Sequence, residues 1–247
     1  MPHIQRFGGD AGNPIVLIHP LATSGAVWQR FGGWLARDGR PVLAPDLPDG
    51  DLAEVSIASM ATSVIEAIED AGRPADLIGM SMGGCVAQQV VLDRPDLIRR
   101  LVLADTTASY GPDRKAYWEQ RAVSAETTAR ADLLDFQLDR WFTDAFRAEN
   151  PAECQRIADI FVSVPAAVHA ASARALGGFD AADRLGDIKT PTLVLVGEHD
   201  YATPPPMAEA IADGIPGATL VMLAGLKHFT LLESRDAWEI IAGNLAE

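Results

Sequence analysis

Ile78-Gly79-Met80-Ser81-Met82-Gly83-Gly84 reads as the end of a strand, a sharp turn and the start of a helix. The stretch fits Gly-x-Ser-x-Gly, the pattern of a nucleophile elbow, in which a turn between strand and helix presents a serine. Both flanking glycines have a mechanical reason. The turn strains the serine backbone and brings strand and helix close, so a Cβ at position 79 or 83 is expected to clash. Because the bare pentapeptide also occurs as structural punctuation in glycine-rich chains, its context decides. Residues 75–80 are apolar enough for a buried strand, and Val86, Ala87, Val90 and Val91 then recur at helical spacing.

Outward from this point, strand-like and helix-like runs alternate. Residues 14–19, 41–44, 76–80 and 98–104 read as strands, and residues 24–37, 56–71 and 82–92 as helices between them. Alternation of this kind implies a mostly parallel sheet covered by helices on both faces. From about Ser109 to Leu185 the text turns helical without strand candidates, then residues 192–196 and 219–223 resume as strands, with helices over 205–213 and 235–245. The expected organisation is therefore an α/β core over 1–108 and 186–247 with a helical cap over 109–185. The block carries Tyr110, Tyr117, Trp118, Phe136, Trp141, Phe142, Phe146 and Phe161. Most of these are expected in the core of the helical layer, with one or two facing a pocket.

A chain of 247 residues suffices for one such domain without disulfides. Its formal charge of −14 and the absence of any basic run argue against a nucleic-acid partner. The same acidity gives an anionic small molecule no general help, so any such substrate needs a locally placed cation. Cys85 and Cys154 belong to no metal-ligand or Cys-x-x-Cys pattern and read as buried thiols. No run of about 18 apolar residues and no signal-like N-terminus is seen, so a cytoplasmic protein without membrane contact is expected. Self-association into a homo-oligomer stays open.

A serine hydroxyl needs a base within hydrogen-bond reach, and that base needs an orienting carboxylate. His228, after the strand 219–223 and a short loop, is the expected base; His3, His19, His169 and His199 stand in less suitable places. Asp200, in Gly197-Glu198-His199-Asp200, is the expected carboxylate, with Asp105 and Glu198 as rivals. An oxyanion requires two backbone donors, and the residue after the serine supplies one, so Met82 N–H is expected at the start of its helix. The second comes from His19-Pro20-Leu21; proline has no N–H, which leaves Leu21.

With Ser81, Asp200 and His228 in that chain order, the sequence resembles the α/β-hydrolase superfamily over its full length. Within it, Arg140-Trp141-Phe142-Thr143, Trp118-Glu119-Gln120-Arg121 and the run from Gly197 to Pro205 resemble the 3-oxoadipate enol-lactonase branch. The resemblance implies a cofactor-independent, serine-dependent hydrolysis of a carboxylic ester or lactone, with Trp141 and Arg140 contacting the small-molecule substrate. A C–C bond hydrolase or perhydrolase with the same three residues, or a non-catalytic ligand receptor, are the competing readings. Asp49-Gly50-Asp51, Lys227 and the stretch 163–178 depart from the branch pattern.

Overall fold

A computed structural model describes residues 2–246. Seven strands form one sheet: β1 (Ile4–Phe7), β2 (Ile15–Ile18), β3 (Val42–Pro45), β4 (Ala75–Met80), β5 (Ile98–Ala104), β6 (Thr192–Gly197) and β7 (Thr219–Leu223). Their order is β1-β3-β2-β4-β5-β6-β7, with β1 antiparallel to β3 and every other pair parallel. Strand β1 escapes a sequence reading because only Ile4 and Phe7 are apolar in it, and an edge strand needs no more.

Side chains alternate across the sheet. Val16, Ile18, Leu77, Leu101 and Leu103 enter one apolar layer, and Ile15, Leu17, Ile78, Met80 and Val102 the other. Helix α1 (Gln29–Leu35) covers the second face. Helices α2 (Ile57–Asp70) and α3 (Met82–Asp93) cover the first. Helix α2 starts at a reciprocal cap, in which the Ser56 and Ser59 hydroxyls each accept the other's backbone N–H. Helix α3 is buried from Met82 through Gln88, as befits the element behind the turn at Ser81.

Between β5 and β6 lie α4 (Arg114–Thr127), α5 (Leu134–Trp141), α6 (Asp144–Glu149), α7 (Pro151–Ser163) and α8 (Ala166–Gly178), with no strand among them. The two ends of this segment meet: Ser109 bridges Asp180, and Ala181 N–H donates to Ala108 O at 2.8 Å. Helices α9 (Pro205–Gly214), α10 (Thr230–Glu233) and α11 (Arg235–Ala246) complete the second half. Among the described residues no single helix is long and apolar enough to cross a membrane.

The strand order reverses between β2 and β4, one running on to β3 and the other to β5. In open parallel sheets the crevice beyond the strand ends at such a point is where ligands bind. Ser81 leaves β4 there, beside the loop that follows β2.

Candidate active site

Ser81 stands between β4 and α3 with φ 57° and ψ −121°, a conformation that costs a residue with a Cβ on the order of 1–3 kcal/mol. The surroundings hold it there. Its N–H donates to Ala104 O at 2.9 Å, and its carbonyl accepts the Thr106 hydroxyl at 2.7 Å and the Gly84 N–H at 2.9 Å. A Cβ on Gly79 would lie 2.2 Å from Gly83 O, and one on Gly83 would lie 2.1 Å from Ile18 O. The expected clash at both positions is therefore present, and both are against backbone.

His228 follows β7 in a loop tied to the helical segment: its N–H reaches Arg140 O at 3.4 Å, and Phe229 N–H donates to Trp141 O at 2.9 Å. The ring places Nε2 3.0 Å from Ser81 Oγ and Nδ1 2.7 Å from Asp200 Oδ2. Asp200 Oδ1 accepts the N–H groups of Ala202 at 2.7 Å and Thr203 at 3.0 Å, and Oδ2 also accepts the Thr203 hydroxyl at 2.9 Å. Burial opposes charge on both partners. The mutual attraction prevails, so the His228 pKa is raised above its ordinary 6.5 and the Asp200 carboxyl is held below its ordinary range.

The structure separates the rival carboxylates. Asp105 is fully buried, yet it accepts Gly197 N–H at 3.1 Å, Thr230 N–H at 3.1 Å and the Thr230 hydroxyl at 2.6 Å rather than touching the histidine. Burial, with the nearby Asp200 charge, pushes it up to about 8. It joins the ends of β5, β6 and α10. Glu198 is turned outward and accepts Gly225 N–H at 2.8 Å. Sequence reasoning did not find this architectural role of Asp105; a carboxylate at a strand end was its only trace.

His19 accepts Leu47 N–H on Nε2 at 2.9 Å, which puts its proton on Nδ1, 2.9 Å from Pro20 O. Its ring thereby anchors the loop carrying Leu21, and burial keeps it neutral. Among the described residues no turn, loop or cap acceptor takes the Leu21 or the Met82 N–H. Ala22, next along, has φ 59°.

A cavity of about 680 Å³, its open mouth included, lies over Ser81 and His228 and is lined from the strand ends by Leu21, Ala22 and Thr203. From the helical segment come Tyr110, Tyr117, Trp118, Trp141 and Phe161. The expectation that one or two of the segment's aromatics face the pocket is thus corrected: five do. A thin helical layer lets a ring belong to a core and border the cavity at once, as Trp118, Trp141 and Phe161 do. Trp141 stacks on Phe229 at 4.5 Å, and the Arg140 guanidinium lies 5.0 Å from the Phe136 ring without a carboxylate partner among the described residues. Residues 49–51 do not line the cavity, and Lys227 turns away to donate to Asp139 O at 2.7 Å. Cys85 and Cys154 are buried free thiols. Among the described residues no three His, Cys, Asp or Glu side chains are grouped to hold a metal ion.

Comparison with known proteins places this geometry in a lineage. RutD of Variovorax paradoxus is 29% identical over 233 residues, covering 90% of this chain and 86% of that one. 3-Oxoadipate enol-lactonase 1 of Acinetobacter baylyi is 25% identical over 204 residues, covering 81% and 76%. The crystal structure of the enol-lactonase from Burkholderia xenovorans LB400 superposes with a TM-score of 0.87 at 27% identity, over 99% of this chain and 96% of that one. The sequence profile of the alpha/beta hydrolase family matches residues 15–239, nearly the whole of the seven-stranded sheet and everything around the serine turn. By that match and by its strand order, this chain belongs to the alpha/beta hydrolase family.

Proposed function

We propose that the chain hydrolyses a carboxylic ester or lactone through an acyl-enzyme on Ser81. One observation carries the reading: Ser81 Oγ, His228 and Asp200 form a continuous hydrogen-bonded relay of 3.0 and 2.7 Å beneath a cavity. Asp200 accepts the Nδ1 proton, which leaves Nε2 bare to take the Ser81 proton as the oxygen attacks the carbonyl carbon. The developing oxyanion is received by the Leu21 and Met82 amides, each such donor contributing about 2.7–4 kcal/mol to the transition state. His228, now protonated, gives its proton to the leaving alkoxide, then deprotonates the water that releases the acid. For a lactone the alkoxide stays tethered to the acyl group, so a single hydroxy or keto acid leaves.

An enol-lactonase-like specificity is the finer reading. It is supported by enol-lactonases of similar length among the relatives and by Arg140 and Trp141 bordering the cavity. The helices over 109–185 act as the cap, Trp141 as apolar contact, and Arg140, whose charge is felt at His228, as a cation for the substrate. Steady-state turnover of 3-oxoadipate enol-lactone, simple lactones and p-nitrophenyl esters by wild type and Ser81→Ala tests this. A kcat/KM for the enol-lactone well above the simple esters, abolished in Ser81→Ala, is expected. Ser81-dependent cleavage of a vinylogous diketone instead would establish a C–C hydrolase, and ligand binding without turnover a receptor.

A further inference from the structure

The cavity has an end that the acyl transfer does not use. In a chain of formal charge −14, its lining includes Arg121 and Arg140 and no aspartate or glutamate. Among the described residues Arg121 has no carboxylate partner; its guanidinium rests 5.9 Å from the Trp118 ring.

Beside it, on α8, His169 is 4% exposed and lines the same cavity. Arg130 Nη1 donates to His169 Nδ1. A guanidinium has only donors, so Nδ1 is the bare acceptor and the ring proton sits on Nε2; the Arg130 contact is the ring's one hydrogen bond among the described residues. Arg130 is itself fixed, donating to Phe161 O from Nε at 3.2 Å with its guanidinium 3.8 Å from the Phe161 ring. Gln137, 9% exposed and also lining the cavity, has a side-chain amide with no hydrogen-bond partner among the described residues. Three donor side chains thus border one cavity without an acceptor, Arg121 near enough for its charge to act on His169, and buried polar groups are otherwise paired.

A wall of rings joins this end to the serine. From His228 it runs to Phe229 at 5.6 Å, Trp141 at 4.5 Å, Phe161 at 5.3 Å and His169 at 6.1 Å between successive centroids.

We propose that Arg121, His169 Nε2–H and Gln137 form a receptor for a carboxylate at the end of the substrate remote from the scissile bond, with Arg130 as the positioning residue that fixes the His169 tautomer. The substrate class is then a carboxylic ester or lactone bearing an apolar spacer and a terminal carboxylate; the ester or lactone part rests on the function proposed above. Burial and the charges of Arg130 and Arg121 lower His169 to about 3, so it donates as a neutral ring throughout the working range.

The test is calorimetric binding of glutarate and of glutaramide, its neutral counterpart, to wild type, Arg121→Gln, His169→Phe and Arg130→Met. Glutarate is expected to bind wild type at least tenfold more tightly than glutaramide, and Arg121→Gln and His169→Phe to shrink that ratio. The nitrogen spectrum of His169 is expected to show one Nε2–H tautomer in wild type and a mixture in Arg130→Met, with KM for p-nitrophenyl hydrogen glutarate rising more than kcat falls. Equal binding of the two ligands by wild type, a comparison that needs no variant, overturns the proposal, as does a glutarate preference that survives both Arg121→Gln and His169→Phe. Glutarate binding intact with no Ser81-dependent ester turnover would refute the hydrolytic reading alone.

Discussion

Asp200→Asn and Asp105→Asn each replace one of two neighbouring buried carboxyl groups by an amide, and the two are expected to fail in different ways. At position 200 the two backbone N–H groups of Ala202 and Thr203 hold one oxygen at 2.7 and 3.0 Å. The asparagine oxygen must stay with them, which turns its NH2 toward His228 Nδ1, 2.7 Å from the present Oδ2. Nδ1 then has to accept, the ring proton moves to Nε2, and the base can no longer take the Ser81 proton. A wrong-tautomer histidine of this kind costs about 10⁴ in kcat, or roughly 5 kcal/mol at 1.36 kcal/mol per decade. At position 105 the oxygens face Gly197 N–H at 3.1 Å and the Thr230 N–H and hydroxyl at 3.1 and 2.6 Å. An NH2 there meets a donor, leaving a buried pair unsatisfied at about 1–3 kcal/mol. For a chain of this size that lowers Tm by roughly 2–4 °C per kcal/mol. The tautomer is untouched, so kcat falls within about tenfold, the scale of 1.36 kcal/mol. Steady-state ester hydrolysis and thermal unfolding of both variants separate the effects. Equal rate losses in the two, or an Asp200→Asn rate within tenfold of wild type, would refute the assignment of roles.

Further outcomes follow from the same geometry. Gly83→Ala puts a Cβ 2.1 Å from Ile18 O; the backbone must move, costing about 1–3 kcal/mol as overpacking, and kcat drops by about 10² through a displacement near 1 Å, so a variant with wild-type Tm and kcat would contradict the packing described. Phe142→Ala empties a fully buried site against Phe146 and Phe229; urea midpoints should report a loss of about 3–5 kcal/mol. His228 must be neutral to act as base, and its pKa is raised, so log(kcat/KM) against pH should rise along an acidic limb with its midpoint above 6.5 and level off beyond it. A midpoint at or below 6.5 would be inconsistent with the Asp200 contact. The same raised pKa stabilises the fold fully below pH 6.5, and that share is lost as pH climbs through the folded value.

The sheet was legible because its strands are short apolar runs bounded by turn residues, and the helical segment because no such run interrupts it. Strands read at 98–104 and 219–223 occur as Ile98–Ala104 and Thr219–Leu223. Ile4–Phe7 was not legible, since half of an edge strand faces water and only the pairing with Val42–Pro45 makes it a strand. For the candidate site, chain order and strand ends sufficed to nominate Ser81, Asp200 and His228, which the fold brings within hydrogen-bonding distance. What could not be read was everything that depends on side chains meeting across the helical segment. Arg130 and His169 stand 39 positions apart, and neither residue type signals a partner on its own. Asp105 looked like a candidate for the acid for a related reason: a carboxylate at a strand end is visible, but the Thr230 that occupies it comes from 125 residues further on.

The central claim is a covalent acyl group on Ser81, and intact-protein mass spectrometry on samples acid-quenched within milliseconds of mixing with a p-nitrophenyl ester tests it most directly. The account predicts one acyl mass per wild-type chain, located by peptide mapping on Ser81, formed with a stoichiometric burst of p-nitrophenol and absent from Ser81→Ala. Ester turnover that persists in Ser81→Ala, or wild-type turnover with the adduct on another residue, would contradict it.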